Sequence, residues 1–319
     1  MGSGQKTCTN KVAIIGAGMV GATFAYSLMI RGLASEIVLI DINAKRAEGE
    51  AMDINHAMPF ASPAKIYAGT YKDCRDAALM VITAGAAQKS GESRLALAEK
   101  NVAIFKEIIP KIIQYNSQGI VIIVTNPVDI LTYVTLKLSG LSSQRVMGSG
   151  AILDTARFRF EIGRKFEVSP RNVHAYIIGE HGDSELPVWS SATIAGVRIK
   201  DYCPLCGMEY HRSEMEEIFE RVRTAAYDII DRKGATYYAI ALGLVQLAGG
   251  ILRDENAVFT VSSLIQDFYG VNGVCLSVPS IVNRNGIRQV LKIPLDDSEM
   301  EKLKSSASVL KEILASLDI

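Results

Sequence analysis

Short apolar runs alternate with amphipathic stretches along the first half of the chain. The apolar runs are rich in β-branched residues, which predicts strands over residues 11–16, 36–40, 79–83 and 119–124. Apolar residues that recur at helical spacing between these runs predict helices over residues 19–31, 95–115 and 128–138. Strands that alternate with helices of this length favour an α/β fold with a doubly wound parallel sheet. The ligand site of such a sheet lies at the carboxyl ends of its strands.

A glycine-rich sequence, Gly16-Ala-Gly-Met-Val-Gly21, joins the first predicted strand to the first predicted helix. Gly16 permits a tight turn and Gly18 lets the backbone approach a pyrophosphate. Gly21 lets the helix pack closely, with its positive end toward the phosphates. Glycines alone are weak evidence, and a glycine-rich turn of another α/β protein is the alternative. Their place between a strand and a helix favours a dinucleotide site.

The second predicted strand is followed by Asp41, 20 residues after Gly21. A carboxylate at this position accepts hydrogen bonds from an adenosine ribose and repels a 2′-phosphate, which favours NAD over NADP. Arg46 is close enough in sequence to weaken that exclusion, although a solvated surface arginine is the alternative. The cofactor predicted from these residues is NAD.

Polar segments follow the third and fourth predicted strands. Asn126 precedes a proline and is either part of a simple turn or a buried amide that bonds a nicotinamide carboxamide. Residues 85–94 are polar and begin where the cofactor should lie, which is typical of a lid that closes over substrate. Such a lid would bring the donors of Gln88, Lys89 and Arg94 to an anionic substrate. An ordinary polar surface loop is the alternative.

Composition narrows the class of protein. Of the 319 residues, 49% are hydrophobic and 21% are charged, which is the profile of a soluble globular enzyme. The net charge of zero argues against nucleic acid or an anionic membrane as a partner. The absence of a signal sequence and of a long apolar run predicts a cytoplasmic protein with reduced cysteines. Cys203 and Cys206 have zinc-knuckle spacing but no second pair, so we expect no metal site.

In the second half, His181 stands between Gly179 and Gly182 after the apolar run 175–178, which predicts a buried strand. An imidazole at the end of such a strand can both give and take a proton near neutral pH. A structural histidine in a turn is the alternative.

A further predicted helix opens at Leu153 and carries Asp154 and Arg157 on one face, because they are three residues apart. Asp154 could bond the imidazole of His181 and stabilise its protonated form. Arg157 could grip a substrate carboxylate through two parallel hydrogen bonds. A helix-capping aspartate and an ion-paired arginine are the alternative.

Several of these segments recur as motifs in one order along the chain. They are Gly16-x-Gly-x-x-Gly21, Gly85-Ala-Ala-Gln-Lys89, Thr125-Asn-Pro-Val-Asp129, Leu153-Asp-Thr-Ala-Arg157, Gly179-Glu-His-Gly-Asp183 and Lys233-Gly-Ala-Thr236. On these motifs the chain resembles the L-lactate/malate dehydrogenase family over nearly its full length, most closely the bacterial L-lactate dehydrogenases that fructose bisphosphate regulates. With the length of the chain, this implies a Rossmann-type NAD-binding domain over residues 1–150, with a mobile lid at 85–96. An α+β catalytic and substrate domain would follow over residues 151–319.

The resemblance implies a role for each matching residue. His181 would be the acid/base, paired with Asp154. Arg157 would anchor the substrate carboxylate, Arg94 would polarise the reacting carbonyl, and Thr236 would border the substrate, which Asn126 would also contact. The residues that would line the NAD site are Gly16, Gly18, Val20, Gly21, Asp41, Gly85, Ala86, Val124, Asn126 and Ser149, together with Tyr71 and Arg46.

Gln88 would decide which substrate of the family is used, because this position is glutamine in its lactate enzymes and arginine in its malate enzymes. Oxaloacetate would bring a second carboxylate that no cation at Gln88 would pair, and burying an unpaired charge is costly. We therefore expect reversible hydride transfer between NADH and pyruvate, giving L-lactate. Malate dehydrogenase is the alternative. A non-catalytic NAD-binding protein is the alternative of another class, and it would be expected to lack Asp154, Arg157 or His181.

Arg159 and His174 match positions that bind fructose 1,6-bisphosphate in the bacterial L-lactate dehydrogenases. Two such pairs that meet across a subunit interface would form a cationic site for this effector. A surface arginine and a solvated histidine are the alternative. The site presupposes a homo-oligomer, which we expect to be a tetramer, and the predicted amphipathic helix 297–317 would contribute packing and oligomer surface.

Overall fold

A computed structural model describes residues 10–87, 93–207 and 209–318. In these ranges the strands, numbered β1 to β14 along the chain, are Lys11–Ile15, Glu36–Ile40, Lys65–Ala68, Leu79–Ile82, Ile120–Ile123, Val146–Gly148, Val173–His174, Ile177–Ile178, Leu186–Pro187, Thr193–Ile194, Val197–Arg198, Ala257–Leu264, Cys275–Asn283 and Gly286–Val290. The α-helices, numbered α1 to α9, are Met19–Ile30, Ala44–His56, Arg94–Tyr115, Val128–Ser139, Ile152–Lys165, Ile199–Leu205, Arg212–Lys233, Tyr238–Leu252 and Asp297–Ser316. Within the same ranges, no helix combines the length and the apolar character needed to cross a membrane.

The largest sheet of the described residues has the strand order β14-β13-β12-β6-β5-β4-β1-β2-β3. The six neighbouring strands β3-β2-β1-β4-β5-β6 pair in parallel, and this is the strand order of a doubly wound nucleotide-binding sheet. Strands β12, β13 and β14 extend it in antiparallel fashion, with Ser262 of β12 opposite Gly148 of β6. The predicted α/β fold class is confirmed, and strands from both predicted domains share this one sheet.

Helices cover both faces of the sheet. On one face α3, α4 and α9 pack through residues such as Phe105, Leu131 and Leu310. On the other face α1, α2 and α8 pack through residues such as Phe24 and Leu247. Strands β4 and β5 are therefore buried along their whole length, and this accounts for their unbroken apolar runs.

Most elements predicted in the first half, and the last helix, agree with the structure to within one residue at each end. A difference concerns the end of the predicted lid, where residues 94–96 form the first turn of α3. The Ser93 hydroxyl accepts a hydrogen bond from the Ala96 N–H at 3.2 Å and so caps this helix. Arg94 therefore lies on a helix. Gln88 and Lys89, which carry the expected substrate choice, lie outside the described residues.

The strand predicted over residues 175–178 is present only in its second half, as β8. Strand β7 ends at His174, just before the run, and the two strands pair with different partners, β10 and β9. Between them, the carbonyl of Ala175 accepts a hydrogen bond from Nε of Arg159 at 3.0 Å. A side chain thus takes the place of a strand partner at Ala175. Beyond β8, Gly179 exchanges two backbone hydrogen bonds of 2.9 Å with Ser277, which fixes the following loop on β13.

We expect the substitution Gly21→Ala to destabilise the fold and Gly18→Ala to leave its stability unchanged. A Cβ atom at Gly21 would lie 1.9 Å from the carbonyl oxygen of Gly16, whereas one at Gly18 would meet nothing within 4 Å. Forcing α1 away from the loop costs about 2 kcal/mol, by analogy with overpacked cores. Urea unfolding without cofactor measures both variants, and equal stability of the two would contradict this account of the packing.

Candidate active site

The glycine-rich loop presents backbone N–H groups at the start of α1. Gly16 has φ +109°, and a Cβ atom there would lie 2.5 Å from the nitrogen of Ala84, so only glycine fits. Gly18 is the N-cap of α1, no side chain caps this helix, and its first turn holds no acidic residue. The N–H groups and the positive end of the helix are therefore suited to the pyrophosphate of a dinucleotide.

Asp41 lies directly after β2 and is held by the same loop. Its carboxylate accepts hydrogen bonds from the backbone N–H of Ala17 at 2.7 Å and of Asn43 at 2.9 Å. This fixes the carboxylate beside the glycines, where a ribose bound next to the pyrophosphate would meet it. Arg46 lies on α2 and forms an exposed ion pair with Glu50 at 3.9 Å.

The remaining residues predicted to bind the cofactor follow the ends of neighbouring parallel strands or the turns beside them. They are Val20 in the first turn of α1, Gly85 and Ala86 after β4, Val124 and Asn126 after β5, Ser149 after β6, and the half-buried Tyr71 in the 3-10 turn that follows β3. These strands end at one edge of the sheet, so the structure brings the set to the edge that also carries Asp41.

Asn101 on α3, which was not among the predicted residues, joins two of these loops. Its side-chain oxygen accepts the N–H of Ala86 at 2.7 Å, and its nitrogen donates to the carbonyl oxygens of Ala86 and Asn126 at 3.2 and 2.7 Å. The side chain is fully buried. An asparagine on the apolar face of a predicted helix was the signal that could have identified it, since buried amides are rarely left without partners.

His181 and Asp154 form a direct hydrogen-bonded pair. The His181 Nδ1 atom lies 2.5 Å from an oxygen of Asp154, and the other oxygen of Asp154 accepts a hydrogen bond of 3.0 Å from Arg157. Asp154 is almost fully buried, whereas 26% of the His181 side chain is exposed. The Nε2 atom of the ring is therefore left for a substrate, while Asp154 fixes the orientation of the ring.

Charge on Asp154 keeps the imidazole protonated. Burial by itself would lower the pKa of His181, but the charge and hydrogen bond of Asp154 outweigh burial and raise it to about 9. Burial by itself would raise the pKa of Asp154, but the charges and hydrogen bonds of His181 and Arg157 lower it. At neutral pH the pair is an imidazolium beside a carboxylate, so it holds a proton that can be transferred.

Asp129, on the first turn of α4, holds the backbone of His181 in place. Its carboxylate accepts the His181 N–H at 2.7 Å and the Ser262 hydroxyl at 2.5 Å. Burial raises the pKa of Asp129 to about 6, although both hydrogen bonds act in the opposite direction. Asp129 belongs to the motif 125–129, but its sequence indicated no role for it, because its partner lies 52 residues away.

Arg94 reaches the loop of His181 from the first turn of α3. Its guanidinium forms an ion pair with the buried carboxylate of Glu180 and a second one, of 3.4 Å, with Asp183. A Cβ atom at Gly182 would lie 2.0 Å from the guanidinium, so a glycine there makes room for this approach. The structure thus brings Arg94 to the same loop as His181, with acidic residues as its partners.

Three other predicted residues lie outside this hydrogen-bonded group. Thr236 is half-buried in the connection between α7 and α8. Arg159 is partly buried, donates to the carbonyl of Ala175 and lies over the ring of Tyr176 at 5.3 Å; burial lowers its pKa. His174 is exposed on β7 and directly precedes Ala175, the residue whose carbonyl Arg159 binds.

Glu185, which was also not among the predicted residues, lies beside the His181–Asp154 pair. One oxygen of Glu185, one of Asp154 and a ring nitrogen of His181 all lie within 4.8 Å of one another, a grouping that no spacing rule indicated. Both oxygens of Asp154 already have partners, His181 and Arg157. We therefore interpret the trio as an acid–base cluster rather than as a cation site.

Comparison with known proteins gives consistent results in sequence and structure. The family described as lactate/malate dehydrogenase matches over its NAD binding domain at residues 10–148 and over its alpha/beta C-terminal domain at residues 151–317. The chain is 54% identical to an L-lactate dehydrogenase of Acetivibrio thermocellus, over 97% of this chain and 98% of that protein. It is 55% identical to an L-lactate dehydrogenase of Priestia megaterium, over 95% of each.

Two solved structures have the same fold over nearly their whole length. One is a lactate dehydrogenase, MGS-M5, from a deep-sea metagenome library of the Medee basin, with a TM-score of 0.93 and 42% identity over 96% of this chain and 98% of that one. The other is the minor L-lactate dehydrogenase of Enterococcus mundtii, with a TM-score of 0.94 and 40% identity over 98% and 99%. The resemblance seen in the motifs is confirmed, and the chain belongs to the lactate/malate dehydrogenase family.

Proposed function

We propose that the chain catalyses the reversible reduction of pyruvate to L-lactate by NADH, with His181 as proton donor and acceptor. The observation that carries this proposal is the hydrogen-bonded group of Asp154, His181 and Arg157 beside the nucleotide-binding edge of the sheet. Membership of the family and the near full-length similarity to L-lactate dehydrogenases make the chain an NAD-dependent L-lactate dehydrogenase. The predicted activity and cofactor are thereby confirmed.

Bound NADH supplies the hydride that the carbonyl carbon of pyruvate accepts. His181 supplies the proton from Nε2, because Nδ1 is bonded to Asp154. Asp154 holds the ring in one orientation and stabilises its positive charge until the proton leaves. In the opposite direction the neutral ring takes the proton of the lactate hydroxyl, and the same carboxylate stabilises the imidazolium that forms.

Two arginines supply the charge that the substrate requires. Arg157 neighbours the His–Asp pair, and its guanidinium suits the carboxylate of pyruvate in bidentate geometry. Arg94 would offset negative charge that develops on the reacting oxygen, for which it must exchange Glu180 and Asp183 for the substrate when the lid closes. Thr236 would border the substrate.

The two alternatives differ in what supports them. A non-catalytic NAD-binding protein does not need a buried carboxylate that holds an imidazolium beside the cofactor edge, and this chain has one. Malate dehydrogenase would need a cation for a second carboxylate, and Gln88 offers none. We propose pyruvate as the preferred substrate and the cytoplasm as the location.

Pyruvate reduction should depend on pH through His181. Because the raised pKa of His181 is about 9, reduction should proceed at full rate below that value and fall as the pH rises through it. The substitution Asp154→Asn removes the charge that raises this pKa while burial still lowers it, so the falling limb should move to lower pH. At neutral pH the rate should drop about a hundredfold or more. Profiles of kcat/KM against pH measure both effects.

The matched control is Glu161→Gln on the same helix, since Glu161 pairs only with the exposed Arg164 and Arg221 among the contacts described for it. This variant should keep the parental profile. A profile of Asp154→Asn that coincides with the parental one would rule out the assigned role of Asp154.

Gln88→Arg should shift the preference from pyruvate toward oxaloacetate. The new guanidinium would pair the second carboxylate, which removes a cost of several kcal/mol, or roughly a thousandfold in discrimination. Gln88→Met, which is similar in size and uncharged, is the control and should keep the preference for pyruvate. The ratio of kcat/KM for the two acids measures the shift, and an unchanged ratio in Gln88→Arg would show that residue 88 does not select the substrate.

We propose further that the chain forms a homo-oligomer, a tetramer, and that fructose 1,6-bisphosphate binds where two copies meet. Supporting the first point, α1 and α8 pack together and expose large apolar side chains, among them Tyr26, Ile30 and Leu242. Supporting the second, Arg159 binds the carbonyl of Ala175, the residue after the exposed His174, and the two side chains could provide cationic groups for a phosphate.

Fructose 1,6-bisphosphate should lower the KM for pyruvate, and His174→Gln should weaken this response without changing the activity measured in its absence. His174 is exposed, so the loss of its side chain should not disturb the fold. The control is Arg164→Gln, which removes an exposed cation from α5, the helix that also carries Arg159. This variant should keep the parental response. An undiminished response in His174→Gln would place the effector elsewhere.

A further inference from the structure

One buried acid beside the His181–Asp154 pair has no role in the reaction described above. Glu185 is only 8% exposed and lies at the end of the His181 loop, directly before β9. Its N–H donates to the carbonyl of Gly182 at 3.1 Å, which closes the loop as a turn. Its carboxyl group lies within 4.8 Å of Asp154 and His181.

Two neighbouring carboxylates cannot both stay ionised here without cost. Asp154 already carries the charge that balances His181 and Arg157. Burial first, and then the charge of Asp154, raises the pKa of Glu185 to about 9, whereas His181 and Arg157 act in the opposite direction. At neutral pH Glu185 is therefore a carboxylic acid with an O–H group to donate.

Asp154 is the acceptor within reach. Each of its oxygens has two lone pairs, and one hydrogen bond on each is accounted for by His181 and Arg157, so a third can be accepted. We propose that Glu185 is a positioning residue that stays neutral during the reaction and donates its proton in a hydrogen bond to Asp154. This hydrogen bond reduces the negative charge that Asp154 presents to His181 and so sets how strongly Asp154 stabilises the protonated ring.

This inference rests on the proposed role of His181 as proton donor. It also depends on the other groups around the cluster, since any of them could shift the same titration. The titratable and charged groups that face it are Asp154 and Arg157 on α5, Asp129 on α4, Arg94 on α3, Arg223 and Tyr227 on α7, Cys275 on β13, and Glu180 and Asp183 in the loop itself.

Two substitutions separate a neutral Glu185 from an ionised one. Glu185→Gln keeps a neutral donor of the same size, so the falling limb of kcat/KM for pyruvate should stay within about half a pH unit of the parental limb. Glu185→Leu removes the donor and leaves Asp154 with more charge for His181, so the limb should move up by about half a unit or more. NADH affinity should not change in either variant.

The opposite pattern overturns the proposal. A limb that moves down by about one unit in Glu185→Gln would mean that an anion was lost and that Glu185 is ionised in the enzyme. A limb that is unmoved in Glu185→Leu would mean that Glu185 does not bond Asp154.

A measurement that does not depend on activity complements the kinetics. Infrared difference spectra at neutral pH should contain the band of a protonated carboxylic acid that is missing in Glu185→Gln, and the absence of any such difference would overturn the proposal. His181→Gln is the control for the proposed function. If His181→Gln still reduces pyruvate at the parental rate, the function assigned to His181 fails, whereas the infrared band still reports on Glu185.

Discussion

Holding a protonated imidazole in a partly buried loop is the constraint on which this structure depends. Burial alone would drive the proton from His181, so a carboxylate must lie against the ring, and Asp154 lies 2.5 Å away. That carboxylate must itself be kept ionised, which Arg157 assists from one turn further along α5. The ionised states of His181 and Asp154 therefore depend on each other and on the packing of the folded protein.

The surrounding fold supplies the fixed points for this balance. Asp129 on α4 holds the backbone of His181, and Ser262 on β12 holds Asp129. Gly179 fastens the start of the loop to β13, and Glu180 draws Arg94 to it from α3. Elements from both halves of the chain meet at one histidine, because the sheet brings their ends to one place.

Local pattern was enough to predict a large share of this arrangement. Apolar runs and helical spacing predicted the parallel sheet, since each strand buries both faces and each helix one. The three-residue spacing of Asp154 and Arg157 placed them on one face, and glycines at 16, 18 and 21 indicated the phosphate-binding turn. The roles of individual residues toward substrate and cofactor remain predictions that rest on the motifs.

Contacts between distant parts of the chain could not be predicted in the same way. Asn101, Asp129 and Glu185 each act on a partner in another element or across a turn, and no periodicity marks such a meeting. All four residues of the run 175–178 suit a strand, but only Ile177 and Ile178 form one, and the side chain of Arg159 binds the carbonyl of Ala175 at the start of the run. Tertiary hydrogen bonding overrode local preference there.

The pairing of Ser262 with Gly148 has a consequence for how the molecule can come apart. Through this contact β12 covers the outer edge of β6, and the hydroxyl of Ser262 also binds Asp129. A fragment that stops at Gly148 would leave the backbone of β6 open to pairing with other chains, which invites aggregation. Proteolytic separation of the halves would therefore yield a nucleotide-binding fragment that aggregates. Because the two halves share one sheet, they should unfold cooperatively.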